Sequence, residues 1–191
     1  MLWGAADMTT RLMKNFGPDA VFLAFAPAAA LNNPSLFSQT ATTTVVVPAR
    51  LRIPSLGVNA LVETTGIKAD GTMGTPQNLD NVSWYSLGAK PGAAGNAVFA
   101  GHVNNARLKP GVFEHLSQIK TGDYVTVEDA SGKSIVYKVF SVTEYPADAP
   151  SDAIFAIAGP SQLVLITCDG DWIPAARTFD KRLVVIAKPA Y

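Results

Sequence analysis

From Val45 onward the apolar residues of this chain come in short bursts, each closed by a turn former, and that punctuation constrains the fold more than any other feature. VVVPARLRIP (45–54) and LGVNALVE (56–63) are β-branched and leucine-rich pieces separated by Pro54 and Ser55. Runs of this length suit strands, whereas helices need about ten residues or more. Fifteen glycines and thirteen prolines are spread through the 191 residues, as many short strands joined by turns require. Asp70-Gly71 is the strongest short hairpin signal, a pair expected to take φ > 0 at both turn positions. NAVFAGHV (96–103) is nearly continuous in its apolar character, as expected of a strand buried on both faces.

The same pattern continues to the C-terminus. DYVTVEDASGKSIVYKVFSVTEYP (123–146) reads as a hairpin turning at Ala130-Ser131-Gly132-Lys133, with Ile135 to Tyr145 as its return strand. LVLITC (163–168) and RLVVIAK (182–188) are two further strands, with residues 169–181 expected as a loop between them. Only GVFEHLSQI (111–119) breaks the pattern. Val112, Leu116 and Ile119 recur there at i, i+4 and i+7, which predicts one short helix. Together these elements predict an all-β closed barrel.

The first 44 residues form a separate tail, and the barrel domain is expected over 45–191. Residues 20–31, AVFLAFAPAAAL, are almost wholly apolar, follow Arg11 and Lys14, and contain Pro27. A bilayer-spanning helix needs about 20 apolar residues. The shorter run, with the small-residue triplet Ala28-Ala29-Ala30, fits the centre of an export signal, cleaved or kept as a membrane tether, or else is a fortuitously apolar tail. Residues 35–44 are a Ser/Thr-rich linker.

Charge narrows the partners. Fifteen Lys and Arg balance fifteen Asp and Glu. Nucleic acid is therefore not the expected partner, because phosphate recognition normally demands a basic excess. The single cysteine, Cys168, excludes an intrachain disulfide and a Cys-rich metal site.

That cysteine lies where the apolar strand LVLIT runs out into Asp169-Gly170. An isolated cysteine is usually a small core hydrophobe, but a thiol at the mouth of a strand is partly exposed and open to reaction. A reactive thiol needs a base or cation to favour its thiolate and a partner to protonate a leaving group. His115, beside Phe113 and Leu116, reads as a surface residue. His102 closes the run NAVFA, again at a strand mouth, with the backbone freedom of Gly101 before it; taken alone it is equally a structural histidine. Arg182 opens the strand after the 169–181 loop, where a fixed charge would stabilise a thiolate and an oxyanion, or simply face water. Arg177, inside the loop, competes for that role.

AGH (100–102), LVLITCDG (163–170) and DKRLVVIA (180–187), taken in order, resemble the sortases, cysteine transpeptidases of bacterial cell surfaces. At the family's T-L-x-T-C motif this chain reads Val164-Leu165-Ile166-Thr167-Cys168, with Val164 replacing the first threonine. The likeness extends over RIPSLGVNALV (52–62), DGTMGTP (70–76), VSWYSLGAKPGAAGNAVFAGHV (82–103) and the GDYVTVED strand. The WY…PG…GNAVFAGH stretch and the TCDG ending are more similar to the class D, E and F branches than to the housekeeping class. The resemblance implies an eight-stranded barrel with one or two short helices, located at the cell surface outside the cytoplasm. It implies Cys168 as nucleophile, His102 as general acid and base, and Arg182 as stabiliser of the oxyanion. Thr167 would line the substrate groove. The segment 146–162 would be the substrate-recognition loop, with Ile154, Phe155 and Ile157 as an apolar wall, or else a short connecting helix. Trp172 would cover the groove, or else serve simple packing.

The implied partners are an LPxTG-like sorting signal, cleaved between Thr and Gly, and an amine of the cell wall or of a pilin. No cofactor and no metal are implied. Two rivals stand beside this reading: a cysteine peptidase that only hydrolyses, and a non-enzymatic β-barrel binding module in which Cys168 is inert. A metal site at His102, Cys168 and nearby carboxylates finds no support in paired Cys or His spacing.

Overall fold

The computed structural model describes residues 44–104 and 109–190. The apolar run 20–31 and the linker up to residue 43 lie outside the described residues, among which no helix is long and apolar enough to cross a membrane.

Eight strands form: β1 (Arg50–Ile53), β2 (Val58–Thr65), β3 (Val82–Tyr85), β4 (Asn96–Gly101), β5 (Tyr124–Glu128), β6 (Ser134–Pro146), β7 (Gln162–Ile173) and β8 (Thr178–Pro189). They close into a barrel in the order β1-β2-β3-β4-β7-β8-β6-β5, with β5 returning to β1. Closure matters because every strand of the barrel then has a neighbour on both sides. Two pairs, β2–β3 and β4–β7, are parallel, and the other six are antiparallel.

Alternation along each strand builds the core. On β6, Ile135, Tyr137 and Val139 point inward while Ser134, Val136 and Lys138 face water. Leu51, Ile53, Phe99, Val125, Val127, Leu163, Leu165 and Val185 join them inside, all with essentially no exposed surface. Each large aliphatic or aromatic side chain so buried contributes about 1.5–3 kcal/mol. The Tyr137 hydroxyl, deep in this core, accepts a hydrogen bond from the Gly92 N–H at 2.8 Å, so its polar end is not left without a partner.

β4, β7 and β8 are apolar on their outer faces as well. Val98, Val164 and Val184 are buried outside the barrel, with Met73, Tyr85, Ile154, Phe155, Ile166 and Ile186 packed on them. Two-sided burial is why NAVFA, LVLI and LVVI read as continuous apolar runs. The segment 147–161 that covers this face is a series of turns and bends, with no helix in it.

Three expectations are corrected. Residues 112–119 do not form an α-helix; they form turns ending in a 3₁₀ helix at Leu116–Gln118. The N–H groups of Glu114, Leu116, Gln118 and Ile119 each donate to the carbonyl three residues back. The buried set is Phe113, Leu116 and Ile119, a spacing of three that stacks on one face of a 3₁₀ turn. Residues 169–181 are not a loop either. β7 runs on to Ile173 and β8 starts at Thr178, with Trp172 opposite Phe179 and only a tight turn between. An irregularity between Asp169 and Trp172, where Gly170 takes φ 79°, absorbs the polar residues that resemble a loop. Finally, Asp70-Gly71 is not a two-residue turn. Gly71 alone has positive φ (82°), closing a three-residue loop in which Lys68 N–H donates to the Thr72 carbonyl at 2.8 Å.

Candidate active site

The outer face of β4, β7 and β8 is a grid read directly from strand register. Val98, Val164 and Ile186 lie side by side, and one step further Ala100, Ile166 and Val184 do the same. The next step along the same face brings Cys168 opposite Arg182 across the antiparallel β7–β8 pair. On the other side β4 and β7 run parallel with a constant offset of 66 residues, which the Thr167–Gly101 hydrogen bond preserves to the end of β4. That offset puts His102, one residue past β4, level with Cys168. Three residues scattered over 81 positions of sequence thus share one row. Cys168, His102 and Arg182 are all partly exposed, so the row is open to solvent and continuous with the apolar face below it.

Each member of the row is held differently. The His102 carbonyl accepts from the Phe113 N–H at 2.9 Å, and Gly111 lies directly against the His102 backbone. The ring Nε2 is 2.9 Å from the carbonyl oxygen of buried Pro76. A carbonyl can only accept, so Nε2 carries the proton and Nδ1 is the basic nitrogen. Arg182 spends three of its N–H groups close to home: Nη1 donates to the Phe179 and Lys181 carbonyls at 2.9 and 2.8 Å, and Nη2 to Thr178 Oγ1 at 3.0 Å. The guanidinium is therefore fixed, and Nε–H with one Nη2–H has no acceptor among the described residues. Arg177, its competitor, sits exposed in the hairpin turn with φ 51°.

Thr167 does not line the groove. Strand alternation turns it inward, 4% exposed, where Oγ1 donates to the Gly101 carbonyl at 2.9 Å. It ties β7 to β4 just beneath the row. Ile154 and Phe155 pack against the outer apolar face, Phe155 meeting Tyr85 edge-to-face at 5.2 Å. Ile157 stands apart from that cluster, 73% exposed. Trp172 lies four residues beyond Cys168 on the projecting β7–β8 ribbon, half-exposed and packed edge-to-face on Phe179 at 5.3 Å. Among the described residues no three His, Cys, Asp or Glu side chains gather as a metal-binding group.

Two supports escape the sequence reading. Asn96, buried at the start of β4, donates from Nδ2 to the carbonyls of Ala153 and Ile154 at 2.9 and 3.0 Å, anchoring the segment that carries Ile154 and Phe155. Its signal was one polar residue opening an apolar run. Glu63 on β2 accepts from the N–H groups of Gln77 and Asn78 and from Asn81 Nδ2 at 2.7, 3.1 and 2.8 Å. Partial burial opposes its ionisation, but those donors and the charge of nearby His102 outweigh it and hold the carboxyl below its ordinary value. No motif announces this residue.

The Sortase domain family model matches residues 51–190. Among solved structures, sortase C1 of Streptococcus agalactiae in complex with MTSET shares 21% identity at a TM-score of 0.58, over 74% of this chain and 66% of that one. The chain thus spans just under two thirds of that protein. Sortase C-1 of Actinomyces oris shares 22% identity at 0.58, over 76% of each chain. Sortase A of Listeria monocytogenes shares 22% at 0.57, over 78% of this chain and 89% of that one. These likenesses are of fold. No curated protein matches. With the family model spanning nearly the whole barrel and all three motif segments, the chain belongs to the sortase family of cysteine transpeptidases.

Proposed function

We propose that this protein cleaves an LPxTG-like sorting signal between Thr and Gly and transfers the acyl part to an amine of the cell wall or of a pilin. The observation that carries the reading is the single open row of His102, Cys168 and Arg182 above an apolar face. In the first half-reaction the Cys168 thiolate attacks the threonine carbonyl carbon. The resulting oxyanion is stabilised by Arg182, whose fixed guanidinium needs little reorganisation. The C–N bond breaks as His102 delivers its proton to the departing glycine amine, leaving a thioester. In the second, an incoming amine loses a proton to His102, attacks the thioester and releases the thiolate. Protons and charges balance over the cycle. With Nε2–H held by Pro76, the nitrogen that exchanges protons is Nδ1.

The signal's apolar residues would rest against Ile166 and Ala100 with Ile154 and Phe155 as the wall, a placement supported by their partial exposure on the same face. Ile157 and Trp172 would touch only a longer peptide. The apolar run 20–31 would keep the domain at the outer face of the membrane. Intact-mass spectrometry after incubation with a panel of sorting-signal peptides tests the chemistry. An acyl adduct on Cys168 that disappears when an amine is added, with the joined product formed, is the expected result. Full turnover by Cys168→Ala would refute it. An adduct resolved only by water would show a hydrolase instead.

A further inference from the structure

A cysteine–histidine pair usually has a third group that orients the imidazole, and among the described residues no carboxylate fills that place in the row. The group on His102 Nε2 is the backbone carbonyl of Pro76, at 2.9 Å. A loop carbonyl can hold a ring only if the loop itself is held. One end of this loop is fixed at Gly74, whose carbonyl accepts from Thr65 Oγ1 at 3.2 Å and Ser83 Oγ at 3.0 Å. The residues after Pro76 are gathered by one side chain, the Glu63 carboxylate. Oε2 takes the Gln77 N–H, and Oε1 takes the Asn78 N–H and Asn81 Nδ2. Pro76 is thus clamped on both sides, and its own ring removes one backbone freedom.

Resting on the proposed role of His102 as proton carrier, we infer that Glu63 is its positioning residue, keeping the Pro76 carbonyl on Nε2 and so keeping Nδ1 as the exchanging nitrogen. Glu63 does not touch the reacting atoms. It does by way of a backbone carbonyl what a carboxylate does directly in a Ser-His-Asp site, where the wrong tautomer costs most of the rate. Three charge-assisted hydrogen bonds to one carboxylate make the clamp stiff. A glutamine of the same shape presents an NH₂ where a second acceptor oxygen is needed, so it cannot satisfy all three donors.

The test reads the tautomer without any substrate. In ¹H–¹⁵N correlation spectra of the neutral imidazoles, wild-type His102 gives a single Nε2–H pattern with two well-separated nitrogen shifts. In Glu63→Ala the two shifts converge as both tautomers fill, and Glu63→Gln lies between. Exposed His115 is the internal reference and stays unchanged. Peptide turnover should fall in kcat by on the order of tenfold to a hundredfold, as for sub-ångström to ångström misplacement of a reacting group, with KM little altered. If Glu63→Ala does not fold, Glu63→Gln carries the test. Asp129, which accepts a similar set of loop donors in the β5–β6 hairpin, controls for general loosening. The inference is overturned if the His102 pattern is the same in the Glu63 variants as in wild type, or if Asp129→Ala moves it equally. Failure to cleave any sorting peptide, with the tautomer shift present, would overturn the functional proposal while the hold of Glu63 on the His102 ring still stood.

Discussion

Gly111→Ala puts the placement of His102 to its most direct test. A methyl group built on Gly111 falls on the His102 carbonyl oxygen and stands 2.7 Å from the His102 carbonyl carbon and 2.8 Å from its Cβ. That is about 0.7 Å short of the 3.4 Å at which ordinary contact begins, and the obstructing atoms are mainly backbone, which cannot swing away. Relief requires His102 to move by a comparable distance, and with it the row it shares with Cys168. Overpacking of this kind costs about 1–3 kcal/mol, which lowers the melting midpoint by roughly 2–4 °C per kcal/mol in a domain of this size. Misplacing a reacting group by about 1 Å costs on the order of 10²-fold in rate, so activity should suffer more than stability. Circular-dichroism melts and turnover of a sorting-signal peptide measure the two. Gly66→Ala is the comparator: nothing lies within 4 Å of its added Cβ, and it should stay within about 0.5 kcal/mol of wild type. Gly111→Ala with full turnover and an unchanged midpoint would mean that His102 is not held as described.

Thr167→Val removes the hydroxyl that donates to the Gly101 carbonyl while keeping the shape of the side chain. Leaving that buried acceptor short of a donor should cost about 1–3 kcal/mol, read as a shift in the urea midpoint with unchanged slope. Arg182→Ala should reduce peptide turnover by about 10²–10³-fold, as loss of an oxyanion donor does, whereas Arg177→Ala, out in the turn, should change it far less; equal losses would move the role away from the residue opposite Cys168. Because the Glu63 carboxyl titrates below its ordinary value of 4.5 when folded, it contributes stability that is present above that pH and lost as pH falls through the folded value. Wild type should therefore lose more of its melting temperature on acidification than Glu63→Gln, and parallel pH profiles would contradict the clamp.

Much of the barrel was legible because its strands obey local rules. The β5–β6 hairpin follows from alternation about a glycine turn, and β4, β7 and β8 follow from apolar runs too short for helices. The 3₁₀ segment was misread because Val112, Leu116 and Ile119 match a helical spacing while the buried set is offset by one residue. The 169–181 segment was misread because Asp169, Gly170 and Asp171 carry turn chemistry that here serves an irregularity within a ribbon. Thr167 follows the alternation that puts Cys168 outside, so the motif located it while the pleat decided its face. His102, Cys168 and Arg182 stood out by residue type and position at strand mouths. Pro76 did not, because it acts through its main-chain carbonyl, which every residue has, and Glu63 did not, because two of the three donors its carboxylate gathers are main-chain N–H groups that no motif marks.

The parallel pairing of β4 with β7 also governs when Cys168 and His102 can meet. Cys168 and Arg182 belong to one hairpin, whose strands are neighbours in sequence. His102, the base of the proposed reaction, comes from 66 positions upstream, across a crossover that includes the whole β5–β6 hairpin. Non-local pairing of this kind is slow, because loop closure precedes the contacts that compensate for it. On the proposed role of His102, a chain with only its hairpins formed has no base beside its thiol. The thiol then gains its base only once β4 has paired with β7.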